Sequence, residues 1–121
     1  MGNPIVEDVD DSTVIFFTPG IWIAFSTEEC SALMLAAKES GWRPEFESAE
    51  YVDQNRWKTT LTKDAAAEMV VALELIRNGH SDRELAHRWF GHHGWKARLK
   101  SIVSILQSGP LTISAPLDWD P

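Results

Sequence analysis

The stretch STVIFFTPGIWIAFS, residues 12–26, holds two runs of β-branched and aromatic residues on either side of Thr18-Pro19-Gly20. Runs of this composition read as strands, and a proline followed by a glycine suits the centre of a type II turn. Neither run alternates between apolar and polar residues. Both faces are therefore expected to be covered, as in a central strand pair packed under helices. Type II turns match strand twist poorly, so a connection looser than a tight hairpin is expected.

From this pair outward, helical signals dominate. Ser26-Thr27-Glu28-Glu29 reads as a capping box that opens a helix running to about Ser40, where Gly41 stops it. Leu33, Met34 and Ala37 fall on one face of it. Pro44 breaks helix, Glu45 and Glu47 read as part of a polar loop, and a strand is expected near Arg56–Leu61. Thr62 caps a second helix with Asp64 in its first turn. Its stretch Met69–Ile76 is apolar almost all round, which predicts a central, buried helix. Asn78-Gly79 ends it. Ser81 caps a short third helix with Leu85, Ala86 and Trp89. Gly91-His92-His93-Gly94 reads as a loop, and Trp95, Leu99, Ile102, Val103 and Leu106 recur at helical spacing in a fourth helix that Gly109-Pro110 terminates. Leu111–Ser114 can add a short strand. The expected fold is α+β: a small sheet with an N-terminal strand pair, packed by about four helices, the last two forming a C-terminal helical hairpin. The single domain spans residues 12–115, after an acidic tail at 1–11 and before a C-terminal tail at 116–121.

Composition places the chain among ordinary globular domains: 121 residues, 44% hydrophobic and 24% charged. That length supports one core without disulfide or metal staples. No apolar run reaches the ~20 residues of a membrane-spanning helix, so no membrane role is expected. The first residues lack a signal peptide's basic start and apolar stretch. Gly2 invites an acylation reading, but Val6 stands where that motif needs Ser or Thr. Cys30 is the only cysteine, so no internal disulfide can form. Near the start of a helix its thiol could be activated, but a small buried hydrophobe is the reading adopted. The expected location is cytoplasmic.

The net charge of −7 is unevenly spread. From Arg77 to Lys100 six basic residues face only Asp82 and Glu84, whereas the rest of the chain carries five basic and sixteen acidic residues. Such asymmetry points to a partner that reads charge. The candidate partner-binding residues are Arg83, Arg88, His92, His93, Trp95, Lys96, Arg98 and Lys100. Four histidines fall within fourteen residues, at 80, 87, 92 and 93. They form no HExxH pattern and have no cysteine pair beside them, so no metal is assigned. His92 and His93 read instead as loop histidines that can tune a contact with pH. No nucleophile motif, phosphate loop or dinucleotide fingerprint occurs. No catalytic residue, cofactor or enzyme activity is therefore assigned.

The six tryptophans are many for one small core. Trp22 and Trp89 are expected to face it. Trp42, Trp57, Trp95 and Trp119 stand at element ends, where a partly exposed ring suits an interface. Tryptophan next to arginine recurs at Trp42-Arg43, Arg56-Trp57 and Arg88-Trp89, and interface anchors are rich in both. Packing of these pairs within one molecule explains them equally well. The reading is a small non-catalytic binding or regulatory protein that engages a protein partner, or a second copy of itself, through segment 79–100.

One further reading comes from Gly79-His80-Ser81-Asp82-Arg83-Glu84-Leu85-Ala86. This segment resembles the start of the scaffold helix in the LuxR-type DNA-binding domain. Trp95-Lys96-Ala97-Arg98-Leu99, with Ile102, Val103 and Leu106, resembles the recognition helix that follows. The likeness covers residues 70–106. It implies the alternative function, a helix-turn-helix DNA-binding transcriptional regulator, with basic residues of the last helix meeting phosphates and its first turns meeting base edges.

Overall fold

The computed structural model describes residues 13–52 and 56–117. The expected acidic tail, Trp119 and most of the C-terminal tail lie outside the described residues. Strands β1 (Thr13–Thr18) and β2 (Ile21–Ser26) pair antiparallel, with Thr18 opposite Ile21. Pro19-Gly20 alone makes the turn, so the hairpin is tight rather than loose. Gly20 has φ 88°, the left-handed backbone that the third residue of a type II turn needs and that glycine adopts without strain.

Helix α1 (Thr27–Glu39) begins at the expected capping box. Ser26 Oγ accepts from the Glu29 amide at 3.0 Å, and Glu29 Oε1 accepts from the Ser26 amide at 2.9 Å. The chain reverses at Gly41 and drives Trp42 into the core, where its indole N–H donates to Ala65 O at 2.8 Å. Trp42 was expected to be partly exposed; the reversal and this buried acceptor explain why it is not. Strands β3 (Phe46–Tyr51) and β4 (Arg56–Leu61) then form a second antiparallel hairpin. β3 was not expected. Its sequence FESAEY is polar because it is an exposed edge strand, and it takes Glu47 into the sheet rather than a loop.

Thr62 caps helix α2 (Lys63–Gly79), accepting from the Ala65 amide at 3.1 Å. Helix α3 opens as one α-helical turn, Asp82–Leu85, and widens into a π-helical turn, Ala86–Phe90. Helix α4 (Trp95–Gln107) and strand β5 (Thr112–Pro116) follow. The sheet is antiparallel throughout, in the order β2-β1-β5-β4-β3. The last strand thus lies at its centre and joins the two hairpins. Arg56, only 3% exposed, ties the three inner strands together. Its guanidinium donates to Ser114 Oγ (3.2 Å), Ser114 O (3.0 Å) and Thr13 O (2.8 Å).

Among the described residues the helices cover one face of the sheet. Val14, Phe16, Phe25, Leu61, Ile113 and Ala115 join the core with residues of α1, α2 and α4. On the other face Lys58 pairs with Glu50 at 3.0 Å, and Trp22 lies opposite Phe17. The expectation of a doubly covered strand pair holds for β1, an inner strand whose successive Val14, Ile15 and Phe16 are all buried, but not for β2, which is an edge. Trp22 is 49% exposed rather than core-facing, because Ile23 and Phe25 take the helix-facing positions of the same strand. Helix α2 also departs from expectation. It buries Ala65, Ala66, Met69, Ala72, Leu73 and Ile76, yet leaves Val71 and Leu75 exposed. It packs mainly against α4, so one face suffices. No helix among the described residues is long and apolar enough to cross a membrane.

Leu73 is fully buried. Leu73→Ala should cost about 2–5 kcal/mol in denaturant unfolding. Leu75→Ala, on the open side of the same helix, should stay within about 0.5 kcal/mol of the parent.

Candidate functional site: the α3–α4 hairpin

Segment 79–100 builds a hairpin whose acidic residues are committed to its own backbone. Ser81 and Glu84 form a second capping box, with Ser81 Oγ accepting from the Glu84 amide (3.1 Å) and Glu84 Oε1 from the Ser81 amide (3.0 Å). These bonds hold the Glu84 carboxyl below its ordinary pKa, the Ser81 amide being the leading cause. The wide turn of α3 closes with the Gly91 amide on Ala86 O at 2.7 Å, Gly91 itself standing at φ 77°. Such π turns are frequent at functional sites.

The loop Gly91–Gly94 leads into α4 with a glycine, which has no side chain to cap the helix. Asp82, from the start of α3, supplies that cap. Its carboxylate accepts from the Gly94 amide (2.9 and 3.1 Å) and the Lys96 amide (3.1 Å). A negative charge on these free amides also complements the positive end of the α4 dipole. The Gly94 amide above all, then that of Lys96, holds the Asp82 carboxyl below its ordinary pKa. His93 Nδ1 lies 3.5 Å from Asp82 Oδ2.

The structure withdraws Trp95 from the candidate surface. Its ring is fully buried, stacked on Phe90 at 3.8 Å and 8° and lying parallel to Phe25 at 6.3 Å. As the first residue of α4 it starts the apolar stripe continued by Leu99, Ile102 and Leu106, so packing claims it and it cannot anchor a partner. Trp89 packs against the core as expected but is only half-buried. Its indole N–H donates to Glu39 Oε2 at 2.9 Å, and Arg88 lies over its ring at 4.7 Å. Arg98 is also engaged within the molecule. Its guanidinium donates to Ala24 O on edge strand β2, approaches Glu29 Oε2 at 3.6 Å, and lies over Phe25 (4.8 Å) and Trp95 (5.0 Å). Occupying a backbone acceptor of an edge strand helps to protect that edge from pairing with another chain.

The remaining candidates stay outward. Arg83, Arg88, His92, His93, Lys96 and Lys100 are all exposed. Arg83, His92 and His93 share an open cleft of ≈ 630 Å³ between α3 and the loop, and Arg88 lines a neighbouring depression with His80, Glu84 and His87. Lys96 and Lys100 lie one turn apart on the exposed stripe of α4, outside both hollows. His87 was missed as a candidate, yet it lines both. Its signal was its place four residues after Arg83, on the same helix face. Among the described residues no His, Cys, Asp and Glu side chains gather in threes around a possible metal position. Cys30 is fully buried, and burial pushes its thiol far above its ordinary pKa; the dipole of α1 does not activate it.

No protein-family model, curated protein or solved structure matches this chain.

Two outcomes test this architecture. Trp95→Ala should destabilise the fold by about 3–5 kcal/mol, the range for truncating a buried tryptophan, in equilibrium unfolding. Asp82 has a depressed folded pKa, so its stabilisation is present above the ordinary carboxylate range and is lost as pH falls below about 4. Asp82→Asn should lower the melting temperature at pH 7 and flatten its fall between pH 5 and 2. A melting curve superimposable on the parent at pH 7 refutes the capping role.

Proposed function

We propose that this chain is a non-catalytic binding or regulatory protein that docks an acidic protein surface on the α3–α4 hairpin. One observation carries the reading. The hairpin's acids are turned onto backbone amides, while Arg83, Lys96 and Lys100 have no ion pair with any described residue. Exposed cations on a rigid support steer an oppositely charged partner and set its orientation. Arg88 over the half-buried Trp89 adds the residue pair common at interface anchors. A second copy of the chain qualifies as partner, since sixteen acidic residues lie outside the basic segment.

The second reading, a helix-turn-helix DNA-binding regulator, rests on Lys96 and Lys100 along the exposed stripe of α4. The protein reading is preferred because the Asp82 carboxylate occupies the N-terminal turn of α4. In the resemblance, that turn would meet bases and phosphates, and a carboxylate there repels them.

Fluorescence anisotropy with a labelled oligo-glutamate peptide and with a random-sequence DNA duplex, both at low salt, separates the readings. The peptide should bind and be released by salt. The triple variant Arg83→Ala, Lys96→Ala, Lys100→Ala should weaken it about tenfold or more, equivalent to about 1.4 kcal/mol. Preferential, salt-sensitive binding of the duplex selects the DNA reading. Binding of neither probe, together with a strictly monomeric protein in sedimentation, overturns both.

A further inference from the structure

The His92 ring has more hydrogen-bond neighbours than one protonation state can serve. Its Nδ1 lies 3.2 Å from His93 O, a carbonyl that only accepts, and this contact requires a protonated Nδ1. Its Nε2 lies 3.3 Å from Trp95 Nε1, an indole N–H that only donates, and this contact requires a bare Nε2. The same Nε2 lies 3.0 Å from Glu29 Oε2, a carboxylate that only accepts, and this contact requires a protonated Nε2. The Glu29 carboxyl is held below its ordinary pKa despite the opposing effect of burial, because the Ser26 amide, Arg98 and His92 outweigh it. It is therefore an anion throughout the range where imidazoles exchange protons.

We infer that His92 is a proton-driven latch that exchanges Trp95 of α4 for Glu29 of α1 as its partner. Neutral His92, with its proton on Nδ1, serves His93 O and accepts from Trp95. Protonated His92 serves His93 O and Glu29, and the Trp95 indole N–H loses its acceptor. One proton thus moves the hold on the loop Gly91–Gly94 from α4 to α1.

The charged groups around the ring define the balance. Arg98 of α4 reaches the same Glu29 Oε2 at 3.6 Å and competes with His92 for it. His93, beside His92, is held toward Asp82 of α3 at 3.5 Å. Across the cleft α3 presents Arg83, Glu84 and His87. Of these, Glu84 is already turned onto Ser81. Because His92 lines the cleft, the exchange also reshapes the surface on which docking is proposed. The latch itself is intramolecular and needs no partner.

Nitrogen-15 NMR of the protein alone tests it. Between pH 8 and pH 5 the His92 ring should pass from the Nδ1–H tautomer to the doubly protonated form. The Trp95 indole N–H signal should move along the same titration curve. In His92→Gln, the Trp95 signal should not move over that range. Glu29→Gln leaves the Trp95 movement in place but should abolish the added protection of the loop 91–94 amides at low pH, after correction for intrinsic exchange. A neutral ring protonated on Nε2, a Trp95 signal that ignores pH, or one that still titrates in His92→Gln overturns the latch. Each result stands whether or not the acidic peptide binds.

Discussion

The sheet depends on its last strand reaching its centre. Until β5 inserts, the chain holds two separate two-stranded hairpins, and such ribbons are marginal in water. β5 pairs with β1 on one side and β4 on the other, so the sheet closes only when the chain returns from β4 across the residues between Lys63 and Leu111. That long return from β4 to β5 carries α2, α3 and α4, and the single core they form with the sheet decides which face they cover. Arg56 is buried at the seam because its fork can serve carbonyl and hydroxyl oxygens of β1 and β5 at once. A buried cation is tolerated only with such partners.

The hairpin is constrained in a related way. Its loop contains two glycines and cannot hold itself, so it borrows from elements on either side. Asp82 caps α4 from α3, and Glu29 faces His92 and Arg98 from α1. Phe90, Trp95 and Phe25 form an aromatic column that joins the π turn, the start of α4 and the edge of the sheet. The hairpin's acidic residues bond to backbone amides and form no ion pair with Arg83, Lys96 or Lys100, although Glu84 feels the charge of Lys96 through space. The carboxylates point toward amides within the fold, and the unpaired cations point to solvent.

This arrangement separates two roles that a charge count merges. Arg98 and Lys96 are both basic, stand two residues apart on α4 and contribute equally to the local excess. Arg98 is partly buried against the β2 edge and two aromatic rings, and Lys96 is open. Arg83 of the open set lines a cleft that holds three histidines.

The sequence by itself determined the local features. The capping boxes at Ser26 and Ser81 use hydrogen bonds no more than three residues apart. The cap at Thr62, the stops at Gly41 and Gly109 and the Pro19-Gly20 turn are equally local. The α+β class and the burial of Leu73 followed from composition and apolar spacing. Tertiary structure decided whatever depended on a distant partner. β3 is polar and was invisible until β4 paired with it. Trp22 and Trp95 exchanged their expected positions because exposure depends on which neighbour covers a ring, and Phe25, Phe90 and Trp95 are brought together only by the return of α4 to the β1–β2 hairpin. Arg98 left the candidate surface because Ala24 and Glu29, about seventy residues away in the chain, lie within its reach. Periodicity shows which face of a helix is apolar. It does not show which polar side chain on the margin of that face will find a partner across the fold.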